Sequence, residues 1–358
     1  MKSLASRLVP KTVEKLIPYQ SARRIGGSGH LWLNANELEQ SCRYGAGDGE
    51  YHRYPDFLPH ELADTYRVYC QGAGDTLNCD AVAVRGADEA IDLMIRTFCQ
   101  PGADKIMICP PTYAMYEFCA ESIAVEAVKA PLLDDFQLDM TSITKQLAET
   151  KILFLCSPNN PTGNVINQAD IITLLEAGKE STLIVVDEAY IEFAPDTSVI
   201  NLIEQYPHLV VIRTLSKAFG LAAIRCGFLL ADSCVMEYIS RLIAPYPIAD
   251  PVAEIALRAL DSDGIQKMRI QSDELISTRE WFAEEVQKLA IVERVYVSAT
   301  NFVLIRFASA ECMYSYLLSK GIVTRNQVHE PALANCVRIS IGSKSSMLET
   351  LNALQEYK

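Results

Sequence analysis

Seven short apolar, β-branched runs, at 81–84, 105–109, 123–128, 152–156, 183–186, 209–212 and 226–230, punctuate the chain. Most are separated by amphipathic stretches of helical period, such as 88–98 and 168–177. Runs this short and uniformly apolar read as strands buried on both faces. Their alternation with helices predicts an α/β fold, a mostly parallel seven-stranded sheet covered by helices on both sides. In such sheets ligands collect at the carboxyl ends of the strands. The unusual residues of this stretch fall there: Gly86, Asp88, Asn160, Asp187, Tyr190 and Lys217.

Beyond Pro245-Tyr246-Pro247 the pattern changes. A helical period runs from about 251 to 289, broken near Asp263-Gly264. Strand-like runs follow at 294–297, 301–307 and 337–341, with helical patterns at 310–318 and 345–355. This predicts a smaller α+β domain over 249–358, after a large domain at 31–248. Residues 1–30, with Pro10, Pro18 and the glycines at 26, 27 and 29, read as an arm of loops rather than a core element. The polar, glycine-rich segment 41–50 reads as a mobile loop.

At 358 residues and 49% hydrophobic, the chain can bury a large core. A net charge of −13 with no basic block argues against nucleic-acid binding. No apolar run approaches bilayer length, and no secretory signal is visible. Eleven cysteines without a C-x-x-C pair imply free thiols and a reducing cytoplasm. The five histidines show no metal-ligand spacing, so no metal is expected.

Four strand ends carry chemistry. Lys217 lies in Thr214-Leu215-Ser216-Lys217-Ala218-Phe219-Gly220, with Arg225-Cys226-Gly227 following. A lysine there can form a Schiff base with pyridoxal phosphate while hydroxyls and an arginine hold the phosphate; it can equally be a solvated loop lysine. Arg85-Gly86-Ala87-Asp88-Glu89 is either an ordinary βα turn or one whose free N–H groups attract a phosphate. In Ser157-Pro158-Asn159-Asn160-Pro161-Thr162-Gly163 the prolines hold Asn160 rigidly enough to donate to a ligand oxygen, against the alternative that its amide only caps the turn. Asp187 closes a buried strand, where an acid is costly unless paired. A pyridinium nitrogen is a suitable partner, a helix cap or a metal the alternatives. Tyr190 is placed to reach the ring's phenolic oxygen.

With these motifs in order, the chain resembles the fold-type I pyridoxal-phosphate-dependent aminotransferases, and within them the class II family of histidinol-phosphate aminotransferases. The matching strings also include Pro18-Tyr19-Gln20-Ser21-Ala22-Arg23-Arg24, Leu33-Asn34-Ala35-Asn36-Glu37, Arg53-Tyr54-Pro55, Cys109-Pro110-Pro111-Thr112-Tyr113 and Val337-Arg338-Ile339. The resemblance implies transamination of histidinol phosphate with 2-oxoglutarate, giving imidazole-acetol phosphate and glutamate, in histidine biosynthesis. It implies that Lys217 carries the cofactor and shuttles a proton, and that Asp187 pairs with the ring nitrogen. Asn160 and Tyr190 would bond the ring oxygen, and Tyr113 would stack on the ring. Ala87, Asp88, Thr214, Ser216 and Arg225 would surround the phosphate. Tyr54 would reach the neighbouring site of a homodimer. Tyr19, Asn36, Arg325 and Arg338 would bind substrate, the last by a bidentate fork that lysine cannot supply. Two features depart from the family: Asn326, where Arg-Asp is the common pair, and the segment 41–50. A threonine-phosphate decarboxylase and an aromatic aminotransferase are the rivals on the same scaffold. Pyridoxal-binding regulators of this fold would need a DNA-binding domain, for which no room or basic stretch is seen.

Overall fold

The computed structural model describes residues 3–17, 51–71 and 77–357. Tyr19, Asn36, the 26–29 glycine cluster and the segment 41–50 lie outside the described residues. The larger sheet contains β1 (Asp80–Val84), β2 (Lys105–Ile108), β3 (Glu126–Lys129), β4 (Ile152–Cys156), β5 (Leu183–Asp187), β6 (Leu209–Thr214) and β7 (Gly227–Ala231), in the order β1-β7-β6-β5-β4-β2-β3. Strands β3, β2, β4, β5 and β6 are parallel neighbours, and β7 runs against both β6 and β1. The mostly parallel sheet read from the sequence is therefore present.

Period-2 alternation divides the core. Ile152, Phe154, Leu183, Val185, Val210 and Ile212 pack on one face, beneath the helices Ala87–Phe98, Met115–Ser122 and Ser233–Leu242. Leu153, Leu155, Ile184, Val186, Leu209 and Val211 pack on the other, beneath His60–Gln71, Met140–Leu147 and Gln168–Gly178. By the same alternation Cys156, Asp187 and Thr214 share the first face at the carboxyl ends of three adjacent strands. Glu188 and Arg213 turn to the opposite side.

The smaller sheet is antiparallel, ordered β10-β11-β9-β8, from β8 (Val292–Val295), β9 (Phe302–Phe307), β10 (Arg325–Asn326) and β11 (Cys336–Ser340). Val303, Ile305, Phe307, Val337 and Ile339 bury against the helices Ser262–Gln287, Ala310–Ser319 and Lys344–Glu356. Arg338 therefore points from the other face, paired in register with Leu304 on one side and Arg325 on the other.

Three local expectations change. Residues 4–14 are not loops: the helices Leu4–Leu8 and Lys11–Glu14 bury Ala5, Leu8 and Val13 in the large core. Pro10 misled because it sits at the second helix's N-cap, where its missing N–H is harmless. The long helical pattern breaks at Asp261 rather than at 263–264, because the Asp261 carboxylate caps the new helix by accepting from Gly264 N at 2.8 Å. Finally, Ile248, Ala256 and Leu260 still pack in the large core, so the chain leaves it one helix later than residue 248.

Candidate active site

A cavity of about 210 Å³ opens at the carboxyl ends of β4, β5 and β6, lined among others by Ala87, Tyr113, Asn160, Asp187, Tyr190 and Lys217. A larger pocket beside β1 contains none of these groups; size alone does not mark the chemistry.

One end of the cavity is built for an anion. Gly86, at φ +82°, precedes the helix Ala87–Phe98 and offers no side-chain cap, so the helix's first N–H groups face outward. A Cβ on Gly86 would sit 2.7 Å from Arg225 Nη2, so only glycine admits the guanidinium there. Arg225 Nη2 donates to Asp88 Oδ2 at 3.1 Å, and Nη1 donates to Ser216 Oγ at 3.4 Å. Thr214 Oγ1 lies 3.0 Å from Ser216 Oγ. Donors thus converge from a helix start, two hydroxyls and a guanidinium.

The other end is built for a cation. Asp187 is 2% exposed and forms no ion pair among the described residues. Burial pushes its carboxyl up to about 6. Two donors oppose that shift: Tyr116 Oη donates to Oδ2 at 2.7 Å, and Ala189 N donates to Oδ1 at 3.0 Å. A buried acid held in this way suits a protonated ring nitrogen. Between the two ends lies Lys217, whose Nζ is 5.5 Å from the centre of the Tyr190 ring. Burial, then the charge of Arg338, lower its pKa and raise the share of free amine.

Tyr113 closes a side wall; its Oη donates to Asp88 Oδ1 at 2.9 Å. Asn159 is spent on the turn, donating to Pro111 O at 2.9 Å and Thr162 Oγ1 at 2.6 Å. Asn160 is not. Arg338 Nη1 donates to its Oδ1, and because a guanidinium only donates, the Asn160 Nδ2 is left to donate elsewhere. Arg338 also lies over the Phe302 ring at 5.1 Å, and burial lowers its pKa. Arg325 stands directly opposite Arg338 across the β10–β11 ladder. Like charges so placed repel unless an anion lies between them.

The fold therefore brings together Ala87, Asp88, Tyr113, Asn160, Asp187, Tyr190, Thr214, Ser216, Lys217 and Arg225, with Arg338 and Arg325 at the rim. Tyr54 is elsewhere, 49% exposed and stacked on Tyr246 at 4.5 Å. Sequence reasoning missed Tyr116, fully buried and stacked on Phe154. Its only signal is the i,i+3 spacing from Tyr113.

A fold of this kind, with a buried acid, a lysine of lowered pKa and an anion cradle on three strand ends, defines a site suited to a phosphorylated aromatic cation. The family model of aminotransferases of class I and II matches residues 33–354. A histidinol-phosphate aminotransferase of Mannheimia succiniciproducens is 44% identical over 98% of this chain and 99% of its own. The crystal structure of such an enzyme from Clostridium acetobutylicum superposes with a TM-score of 0.77 at 29% identity, covering 85% of this chain and 90% of that one. One from Sinorhizobium meliloti, in complex with pyridoxal-5'-phosphate, gives 0.75 at 22% identity, covering 86% and 84%. The chain belongs to the class I and II aminotransferases, and within them to the histidinol-phosphate aminotransferase family.

Proposed function

We infer that the chain is a pyridoxal-phosphate-dependent aminotransferase that moves the amino group of histidinol phosphate to 2-oxoglutarate, giving imidazole-acetol phosphate and glutamate, in histidine biosynthesis. The observation that carries the cofactor is Asp187, a buried carboxylate with no ion pair among the described residues, at one end of a cavity whose other end gathers anion donors. Bound pyridoxal phosphate supplies an aromatic ring that takes up the electron pair left when the substrate Cα loses its proton.

The chain's residues do the rest. Lys217 would hold the cofactor through its Nζ, and the same amine would carry the proton of the substrate Cα. Its lowered pKa raises the share of amine that carries a free lone pair. Asp187 keeps the proton on the ring nitrogen, and its two donors hold the carboxylate in place. Asn160 Nδ2 and Tyr190 Oη would donate to the ring oxygen, and Tyr113 would cover the ring. The first N–H groups of the helix at Ala87 and Asp88, the hydroxyls of Thr214 and Ser216, and Arg225 would hold the phosphate. Arg338 and Arg325 grip the substrate's anion, a carboxylate in glutamate and a phosphate in histidinol phosphate. Tyr19 and Asn36 are assigned to the same substrate by their motifs.

We further propose a homodimer in which Tyr54 completes the neighbouring site. Its half-exposed ring, which is not part of the lining of its own chain's cavity, supports this reading. Among the described residues no helix is long and apolar enough to cross a membrane, and we propose the cytoplasm as the compartment. Steady-state assays test the activity. Glutamate formation from histidinol phosphate and 2-oxoglutarate follows parallel double-reciprocal lines, as two alternating half-reactions require. Release of carbon dioxide from a phosphorylated amino acid without glutamate formation would replace this reading with a decarboxylase.

A further inference from the structure

Arg279, in the helix Ser262–Gln287, is only 8% exposed. Among the described residues its partners are a neutral carbonyl and a solvent-facing acid: Nη1 donates to Thr300 O at 2.8 Å, and Nη2 lies 3.6 Å from Glu280. Burial lowers its pKa. A guanidinium buried against a carbonyl costs stability, which directs attention to what that carbonyl belongs to.

Thr300 sits in the turn 298–302, which leads into β9. Inside the turn Ser298 Oγ donates to Phe302 O at 2.6 Å, Thr300 N donates to Ser298 Oγ at 3.2 Å, and Thr300 Oγ1 donates to Phe302 O at 3.2 Å. The turn reaches the active site from two directions. Ala299 N donates to Gly163 O at 2.7 Å, and a Cβ on Gly163 would lie 2.7 Å from Ser298 Oγ. Gly163, at φ +84°, closes the turn that presents Asn160. At the other end the Phe302 ring meets the edge of Tyr190 at 5.5 Å and lies under the Arg338 guanidinium. Asn301 O accepts from Ile341 N at 2.8 Å, just beyond the strand that carries Arg338.

We propose that Arg279 is a positioning residue for substrate-anion binding. Through the Thr300 carbonyl it fixes the 298–302 turn, and through that turn it aligns the Asn160 side of the cavity with Arg338. The phosphate cradle of Thr214, Ser216, Arg225 and the helix Ala87–Phe98 lies off this path, so the main effect falls on substrate rather than on cofactor affinity. The inference rests on the assignment of Arg338 to the substrate anion.

The test uses the cofactor-loaded enzyme and three variants. Arg279→Met raises KM for glutamate and for histidinol phosphate about tenfold, the scale of one lost charge-assisted hydrogen bond. It changes kcat less than about threefold and leaves cofactor affinity, set mainly by the phosphate cradle, as in the parent. Arg279→Lys, which still donates to Thr300 O, restores most of the KM. Ser298→Ala loosens the same turn without touching a buried charge, shifts KM in the same direction, and carries the test if Arg279→Met does not fold. Arg338→Lys is measured alongside. If it leaves KM unchanged, the assignment of Arg338 fails first. If it raises KM while Arg279→Met and Ser298→Ala bind substrate like the parent, the role of Arg279 is overturned. Loss of cofactor affinity in step with KM in both turn variants would also overturn it, as general loosening would.

Discussion

Tyr116→Phe isolates one of the two hydrogen bonds that hold Asp187 ionised. The phenol donates to Oδ2 at 2.7 Å and is itself fully buried, so no water replaces it without rearrangement. A hydrogen bond to a buried charge contributes about 1.5–3 kcal/mol. At 1.36 kcal/mol per pH unit, its loss raises the carboxyl by roughly 1–2 units. The group already lies at about 6 in the cofactor-free protein, so the variant's carboxyl moves to roughly 7–8. Only the ionised form pairs with a ring cation, so affinity is present above this pKa and lost as pH falls through it. Titrating apoprotein with pyridoxal phosphate from about pH 5 to 9 then shows the upper break in log Kd near 6 for the parent and one to two units higher for Tyr116→Phe. Ionisations of the cofactor are common to both proteins and cancel in the comparison. An unchanged break, or one displaced to lower pH, would refute the role given to Tyr116 and to burial.

Lys217→Ala lowers kcat by ~10⁴-fold or more, and borohydride no longer fixes the cofactor to the 217 peptide by mass spectrometry. Because the folded state holds the Asp187 proton more tightly than the unfolded chain, cofactor-free protein loses stability as pH rises from about 4 to about 6, by ~3 kcal/mol from this group. Asp187→Asn removes that slope in urea titrations while abolishing turnover. On the opposite face, Arg213→Met strands Glu188, whose side chain is 1% exposed, and costs about 3–5 kcal/mol in the same titrations. Gly86→Ala places a methyl against Arg225 and weakens cofactor binding by about tenfold or more in equilibrium titration, substrate KM changing less.

The strand ends that meet in the cavity were legible because their signals are local. An acid after four apolar residues, a proline-bracketed asparagine, and a lysine between hydroxyl residues and an arginine each stand out within a few positions. The Asn159 amide is used inside the turn, whereas the Asn160 side chain meets Arg338. What escaped depends on partners distant in sequence. Tyr116 reads as one more aromatic on a helix until β5 places Asp187 beside it, 71 residues later. The buried pair of Arg213 and Glu188, at 2.7 Å, exists only because β5 and β6 are adjacent and their side chains alternate. Strand β10 has two residues, too few for any period, and takes its place only by pairing with β11. At the N-terminus, proline at 10 has the same appearance whether it breaks a helix or begins one.

The most direct measurement is a single half-reaction. Purified enzyme loaded with pyridoxal phosphate is mixed with histidinol phosphate alone, and the visible band of the bound cofactor is followed. Its conversion to the pyridoxamine form, reversed on adding 2-oxoglutarate, is the predicted result and establishes amino-group transfer and donor together. A spectrum indifferent to histidinol phosphate, in protein that still binds the cofactor through Lys217, would contradict the assigned substrate.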